Sequence, residues 1–169
     1  MYNHYCNSTR ALHFLGGRQP DAAAEIHGKS CEIHATAMFF CAPCGVYAVV
    51  SATGLPYSDE NCGFFALHIH SGTSCADGFD AVGAHFNPES RPHPCHAGDL
   101  PPLMSNADGF AWTAFLTDRF SLDEIVGRAV IIHSLPDDFR TQPAGAAGEK
   151  IACGIIKDIR PCRRQCRST

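Results

Sequence analysis

Apolar residues in this chain recur with period two, in short runs cut off by Gly, Pro, Asp and Asn, and no long stretch carries the 3.6-residue period of an amphipathic helix. Such a chain has few ways to hide its hydrophobic side chains, because each strand buries only one face and needs a second sheet, or its own sheet curled round, to cover it. The candidate strands are 24–27, 32–40, 46–53, 64–70, 109–117, 128–133 and 150–159. Their number and spacing predict an all-β sandwich or barrel. Two segments interrupt the regular spacing, 71–103 and the Pro/Gly-rich 134–148, and loops this long within a compact domain are usually functional. There is no internal repeat.

The 169 residues suit one domain, and 45% hydrophobic with 18% charged residues lies far from the composition of disordered chains. Residues 1–22 read as an N-terminal extension, 23–159 as the domain, and 160–169 as a basic tail containing Cys162 and Cys166. The first seventeen residues include His4, Cys6, Arg10 and His13 and lack the apolar run of a signal peptide. No stretch approaches the roughly 20 apolar residues of a membrane span. The expectation is a cytoplasmic protein with no membrane partner. A net charge of −4 offers no basic footprint for nucleic acid.

Ten cysteines and ten histidines direct attention to metal or redox chemistry. In His68-Ile69-His70 the two imidazoles point to one face of a strand, with Cα atoms roughly 6 to 7 Å apart, which suits two ligands on one metal. Alone, such a pair is a weak signal and more often an ordinary polar sheet face. The long loop adds His85, His93, His96 and Asp99 among turn-forming residues, and a closed zinc site takes such nitrogen and carboxylate donors. An exposed loop has no need of so many imidazoles, and a buried one must satisfy both ring nitrogens of each. His133, at the end of a later apolar strand, can complete the His68 and His70 set.

In this order, Phe65-Ala66-Leu67-His68-Ile69-His70, Gly83-Ala84-His85-Phe86-Asn87-Pro88, His96-Ala97-Gly98-Asp99-Leu100, Val130-Ile131-Ile132-His133 and Ile151-Ala152-Cys153-Gly154 resemble the copper/zinc superoxide dismutase family, in its bacterial form, over about residues 23–159. The resemblance implies a Greek-key antiparallel β-sandwich or flattened barrel, immunoglobulin-like, with two long functional loops. It implies copper ligands His68, His70, His85 and His133, and zinc ligands His85, His93, His96 and Asp99, with His85 shared. Asp137 matches the carboxylate that orients histidines of both sites, and Cys75 and Cys153 match an intrasubunit disulfide. The implied activity is dismutation of superoxide, an antioxidant function, by copper redox cycling with zinc structural. The resemblance also allows a homodimer.

Lys150 departs from the pattern, because the family places an arginine there beside the copper; the ammonium keeps the positive charge and loses the forked donor geometry. His85 and Lys150 are the residues expected to act in catalysis. A metal-binding module of the same fold without turnover is the alternative that Lys150 and the surplus cysteines suggest. Eight cysteines lie outside the family pair: Cys6, Cys31, Cys41, Cys44, Cys62, Cys95, Cys162 and Cys166. Cys41-Ala42-Pro43-Cys44 has thioredoxin-like spacing, yet its place in a hairpin favours an accessory disulfide or plain thiols over catalysis.

Overall fold

A computed structural model describes residues 17–160; His4, Cys6, His13, Cys162 and Cys166 lie outside the described residues. Ten strands form in chain order: β1 (Ala22–Gly28), β2 (His34–Ala42), β3 (Gly45–Thr53), β4 (Phe64–Phe65), β5 (Leu67–His70), β6 (Leu103–Met104), β7 (Ala111–Thr117), β8 (Ala129–His133), β9 (Lys150–Ile155) and β10 (Lys157–Asp158). Eight belong to one antiparallel sheet, in the order β5-β8-β9-β1-β2-β3-β7, with β10 beside β1. The return of β9 to lie against β1 is the long-range pairing expected of a Greek key. The remaining pair, β4 with β6, links the sheet's two ends: β4 runs on into β5 across Ala66, and a bridge between Ser105 and Ala111 joins β6 to β7. The sheet thus curls towards a flattened barrel, and the all-β expectation holds.

Side-chain alternation builds the interior. Ala22, Ala24 and Ile26 of β1, Ala35, Ala37 and Phe39 of β2, and Val46, Ala48, Val50 and Ala52 of β3 all enter one core with Leu67, Ile69, Val130 and Ile132. The β2–β3 hairpin closes through Pro43-Cys44 between the paired residues Ala42 and Gly45. At Gly45, φ is 132° and a Cβ would lie 2.2 Å from the Thr117 carbonyl oxygen, so only glycine fits.

Three local features differ from the period-two reading. The run 64–70 breaks at Ala66, whose N–H donates to Leu135 O while His133 N–H donates to Ala66 O, so this residue is shared between the end of β8 and the start of the second loop. β2 begins at His34, because residues 29–33 turn the chain from β1. A one-turn helix, α1 (Leu122–Ile125), sits between β7 and β8, started by a capping box in which Ser121 and Glu124 satisfy each other. Asp21 is already tied to the sheet, its N–H donating to Phe39 O and its carboxylate accepting from Cys41 N–H. No helix among the described residues is long and apolar enough to cross a membrane.

β5 and β8 are buried on both faces, and this positions the functional side chains. Leu67, Ile69, Val130 and Ile132 face the main core; the opposite face of β8 sends Ala129 and Ile131 into a second cluster with Phe79, Val82 and Cys153. Phe79 and Val82 lie in a 3-10 segment (Asp77–Val82) of the first long loop, which is pinned to β9 by the Cys75–Cys153 disulfide at a Cα–Cα distance of 5.9 Å. The link spans 78 residues and contributes roughly 4 kcal/mol in the chain-entropy account. Replacing both cysteines by serine should lower unfolding stability by up to about that amount and speed amide exchange in residues 71–83. Unchanged exchange in that loop would mean the smaller cluster holds it unaided.

Candidate metal centre

The same alternation that sends Leu67 and Ile69 inward turns His68 and His70 to the opposite face, where they stand across from Ile131 and Ala129 of β8. His133 follows two residues after Ile131, at a register shift between Ile132 and His133. The first loop folds back over this face by pairing its backbone with β5: His68 bridges Asp99 and His70 bridges His85. Ile69 N–H donates to Gly98 O, Phe86 N–H to Ile69 O, and Gly98 N–H to Phe86 O. A Cβ on Gly98 would lie 2.2 Å from Ile69 O, so a side chain there would drive the loop off the strand.

The predicted residues come together as two groups: His68, His70, His85 and His133, and His85, His93, His96 and Asp99, each offering donor atoms within 4.8 Å of one another. All are buried. His70 Nδ1–H donates to Gly83 O at 2.8 Å, which leaves Nε2 as the lone-pair nitrogen, 3.3 Å from His133 Nε2. His68 Nδ1, His85 Nε2 and His93 Nδ1 are buried with no hydrogen-bond partner. A buried imidazole nitrogen without a partner is costly unless a cation accepts its lone pair.

In the second group, His85 Nδ1 lies 2.8 Å from Asp99 Oδ1 and 3.4 Å from His96 Nδ1. Asp99 Oδ2 lies 3.1 Å from His93 Nδ1, and Oδ1 3.3 Å from His96 Nδ1. Four donors each about 2.0 to 2.1 Å from one tetrahedral ion would be separated by roughly 3.3 to 3.4 Å, so this group fits zinc with little movement. Both ring nitrogens of His85 are used, one facing each group.

One carboxylate ties the groups together. Asp137 accepts from His68 Nε2–H at 2.9 Å and from His93 Nε2–H at 2.8 Å, fixing both rings with Nδ1 turned inward. The Phe139 N–H, at 2.7 Å, holds the carboxylate in turn. Gly145, at φ 68°, lies so close that a Cβ would sit 2.0 Å from Asp137 Oδ1.

Two supporting residues carry no signature that the sequence reading used. Gln142 brackets His93, its Oε1 accepting from His93 N–H at 3.0 Å and its Nε2 donating to His93 O at 2.6 Å. Arg119, following β7, directs Nη1 at the carbonyls of Pro94, His96 and Asp99, at 3.1, 3.4 and 3.4 Å. It thereby gathers the segment that carries three of the donors. Cys95, between two of those donors, is exposed and turned outward.

Burial is the main reason that His68, His70 and His133 resist protonation; His70 and His133 are pushed down to about 3. Neighbouring imidazoles add to this, and at His68 the Asp137 hydrogen bond partly offsets it. For Asp99 and Asp137, burial acts upward but is outweighed, chiefly by hydrogen bonds from His85 and His68 respectively, so both carboxyls sit below their ordinary range. Neutral imidazoles beside ionised carboxylates are the protonation state that binds cations.

The first group opens to solvent through a cleft of about 570 Å³ lined by His70, His85 and His133 and by the charged residues Lys29, Asp80, Glu149 and Lys150. Lys150 is half-buried at the start of β9, and its charge further disfavours protonation of His70.

Comparison with known proteins agrees with this arrangement. The family model described as copper/zinc superoxide dismutase matches residues 34–156. The copper-zinc superoxide dismutase of Deinococcus radiodurans is 30% identical over 162 residues, covering 83% of this chain and 86% of that protein. The copper-zinc superoxide dismutase 2 of Aquifex aeolicus is 35% identical over 128 residues, covering 67% and 72%. A solved structure, a SOD-like protein from Bacillus subtilis, superposes with a TM-score of 0.67 at 26% identity, covering 79% of this chain and 96% of that one.

Two outcomes follow from the geometry. In metal-free protein, unfolding histidines regain an ordinary affinity for protons that the buried His70 and His133 lack, so the unfolded state binds more protons between about pH 6.5 and about 3. Stability measured by urea unfolding should fall as pH is lowered through that window; a flat profile would contradict the burial argument. Separately, Arg119→Met should weaken zinc retention against a chelator by about 10- to 100-fold while the copper stoichiometry is kept.

Proposed function

Because the chain belongs to the copper/zinc superoxide dismutase family, we propose that it is a superoxide dismutase, converting two superoxide anions and two protons to dioxygen and hydrogen peroxide. The observation that carries this reading is His85, buried, with one ring nitrogen in each donor group. A site meant only to store copper needs neither a shared imidazole nor a carboxylate hydrogen-bonded to a histidine of each group. When bound, copper at His68, His70, His85 and His133 would supply one-electron exchange, and zinc at His85, His93, His96 and Asp99 a fixed structural charge.

The chain's own residues then have distinct parts. His68 and His93 are held by Asp137, and His70 by the Gly83 carbonyl, so the donor nitrogens need not reorganise. His85 Nε2 has a lone pair that can hold a proton near the cleft, and its ring stays anchored through Nδ1. Lys150 places an ammonium in the cleft wall, where it attracts a small anion without the two-pronged grip of an arginine. Glu149 and Asp80 line the same cleft as Lys150 and Lys29, so the carboxylates offset part of the positive charge and the guiding field is local. Residues 23–159 constitute the dismutase domain in this reading, with 1–22 an extension and 160–169 a tail.

Lys150 also motivates the second reading, a copper/zinc-binding module without turnover. Pulse radiolysis of protein reconstituted with both metals separates the two. Superoxide decay should be fast in the native chain, fall to background in His133→Ala, and rise by up to about tenfold in Lys150→Arg. Decay in the fully metallated native chain no faster than in free solution would leave the binding module.

A further inference from the structure

Away from the centre, the outer face of the β1–β2 hairpin carries His27 and His34 as directly opposed cross-strand partners. Their rings meet edge to face with centroids 5.6 Å apart, and both side chains are exposed. Opposed residues on an antiparallel pair have Cβ atoms roughly 4.5 to 5.5 Å apart, close enough for two imidazoles to turn onto one ion. His34 Nε2–H donates to Cys31 O at 2.9 Å, which leaves Nδ1 with its lone pair. Glu25 stands two residues before His27 on the same face, and it lines the same open groove as both histidines. Two imidazoles and a carboxylate on one rigid ladder form a donor set suited to a late first-row divalent cation, with water completing the coordination.

We propose that Glu25, His27 and His34 form a third, surface site for a divalent copper or zinc ion, separate from the two buried groups. The ligands lie on paired strands, so binding has to order only three side chains and no backbone. Copper(II) should bind more tightly than zinc(II) at such a nitrogen and oxygen site. The proposal is independent of whether the centre turns over superoxide.

The test uses the full chain loaded with one copper and one zinc, its free thiols alkylated so that exposed cysteines such as Cys31, Cys62 and Cys95 cannot compete. Equilibrium dialysis against copper(II) should reveal an additional equivalent that is absent from the His27→Gln/His34→Gln double variant. Each single variant should weaken that equivalent by about tenfold or more, and Glu25→Gln by less. Glutamine keeps these exposed positions polar, and an unchanged unfolding midpoint of the loaded variants controls for folding. No additional equivalent in the native chain, or one retained in the double variant, would overturn the assignment.

Discussion

A single buried carboxylate holds this molecule's chemistry in place. Asp137 joins His68, on a sheet strand, to His93, in the first long loop, and is itself held by the backbone of the second loop. Three segments far apart in sequence therefore meet on one side chain with only hydrogen bonds to fix them. The arrangement is consistent because Asp137 stays ionised and accepts an N–H from each of the two histidines, whose Nδ1 atoms are left bare. Replacing Asp137 by an apolar residue would leave two imidazole N–H groups buried without acceptors as well as two rings free to turn.

Around that carboxylate the β-structure acts as a ruler. Period-two alternation on β5 places Leu67 and Ile69 in the core and His68 and His70, which alternate with them, on the far face, so one strand both packs the core and presents two buried donors. The first loop is laid over that face by backbone pairing through Gly98 and pinned at its far end by Cys75–Cys153. Small residues, chiefly alanine, line much of the core face of β1 and β2, and the pairing of β4 with β6 brings the sheet's two ends together.

How much of this the sequence discloses depends on the kind of interaction. The dense loop donors were legible because imidazoles in turn-rich segments have few other uses; the histidine pair on β5 gained its meaning only beside them, and the family resemblance supplied the grouping and the Cys75–Cys153 pairing. The all-β class was legible from alternation. What escaped were contacts made to backbone atoms: Arg119 and Gln142 act on carbonyls and an N–H of the loop, and any chain carries those at every position. Gly145 looks like one more loop glycine until the Asp137 carboxylate is seen occupying the space of its missing Cβ. The interruption at Ala66 was hidden for a related reason, since an apolar run does not show which partner its backbone takes. Which nitrogen of each ring is bare likewise depends on the acceptor folded against its neighbour, as Gly83 O is for His70.

In the proposed function one imidazole, His85, separates two different metals. Anomalous diffraction from a crystal of the metallated protein, recorded at the copper and zinc absorption edges, tests it directly. The expected result is a copper peak at Nε2 of His85, surrounded by His68, His70 and His133, and a zinc peak at Nδ1, surrounded by His93, His96 and Asp99. A single metal position, or two peaks that do not share His85, would contradict it.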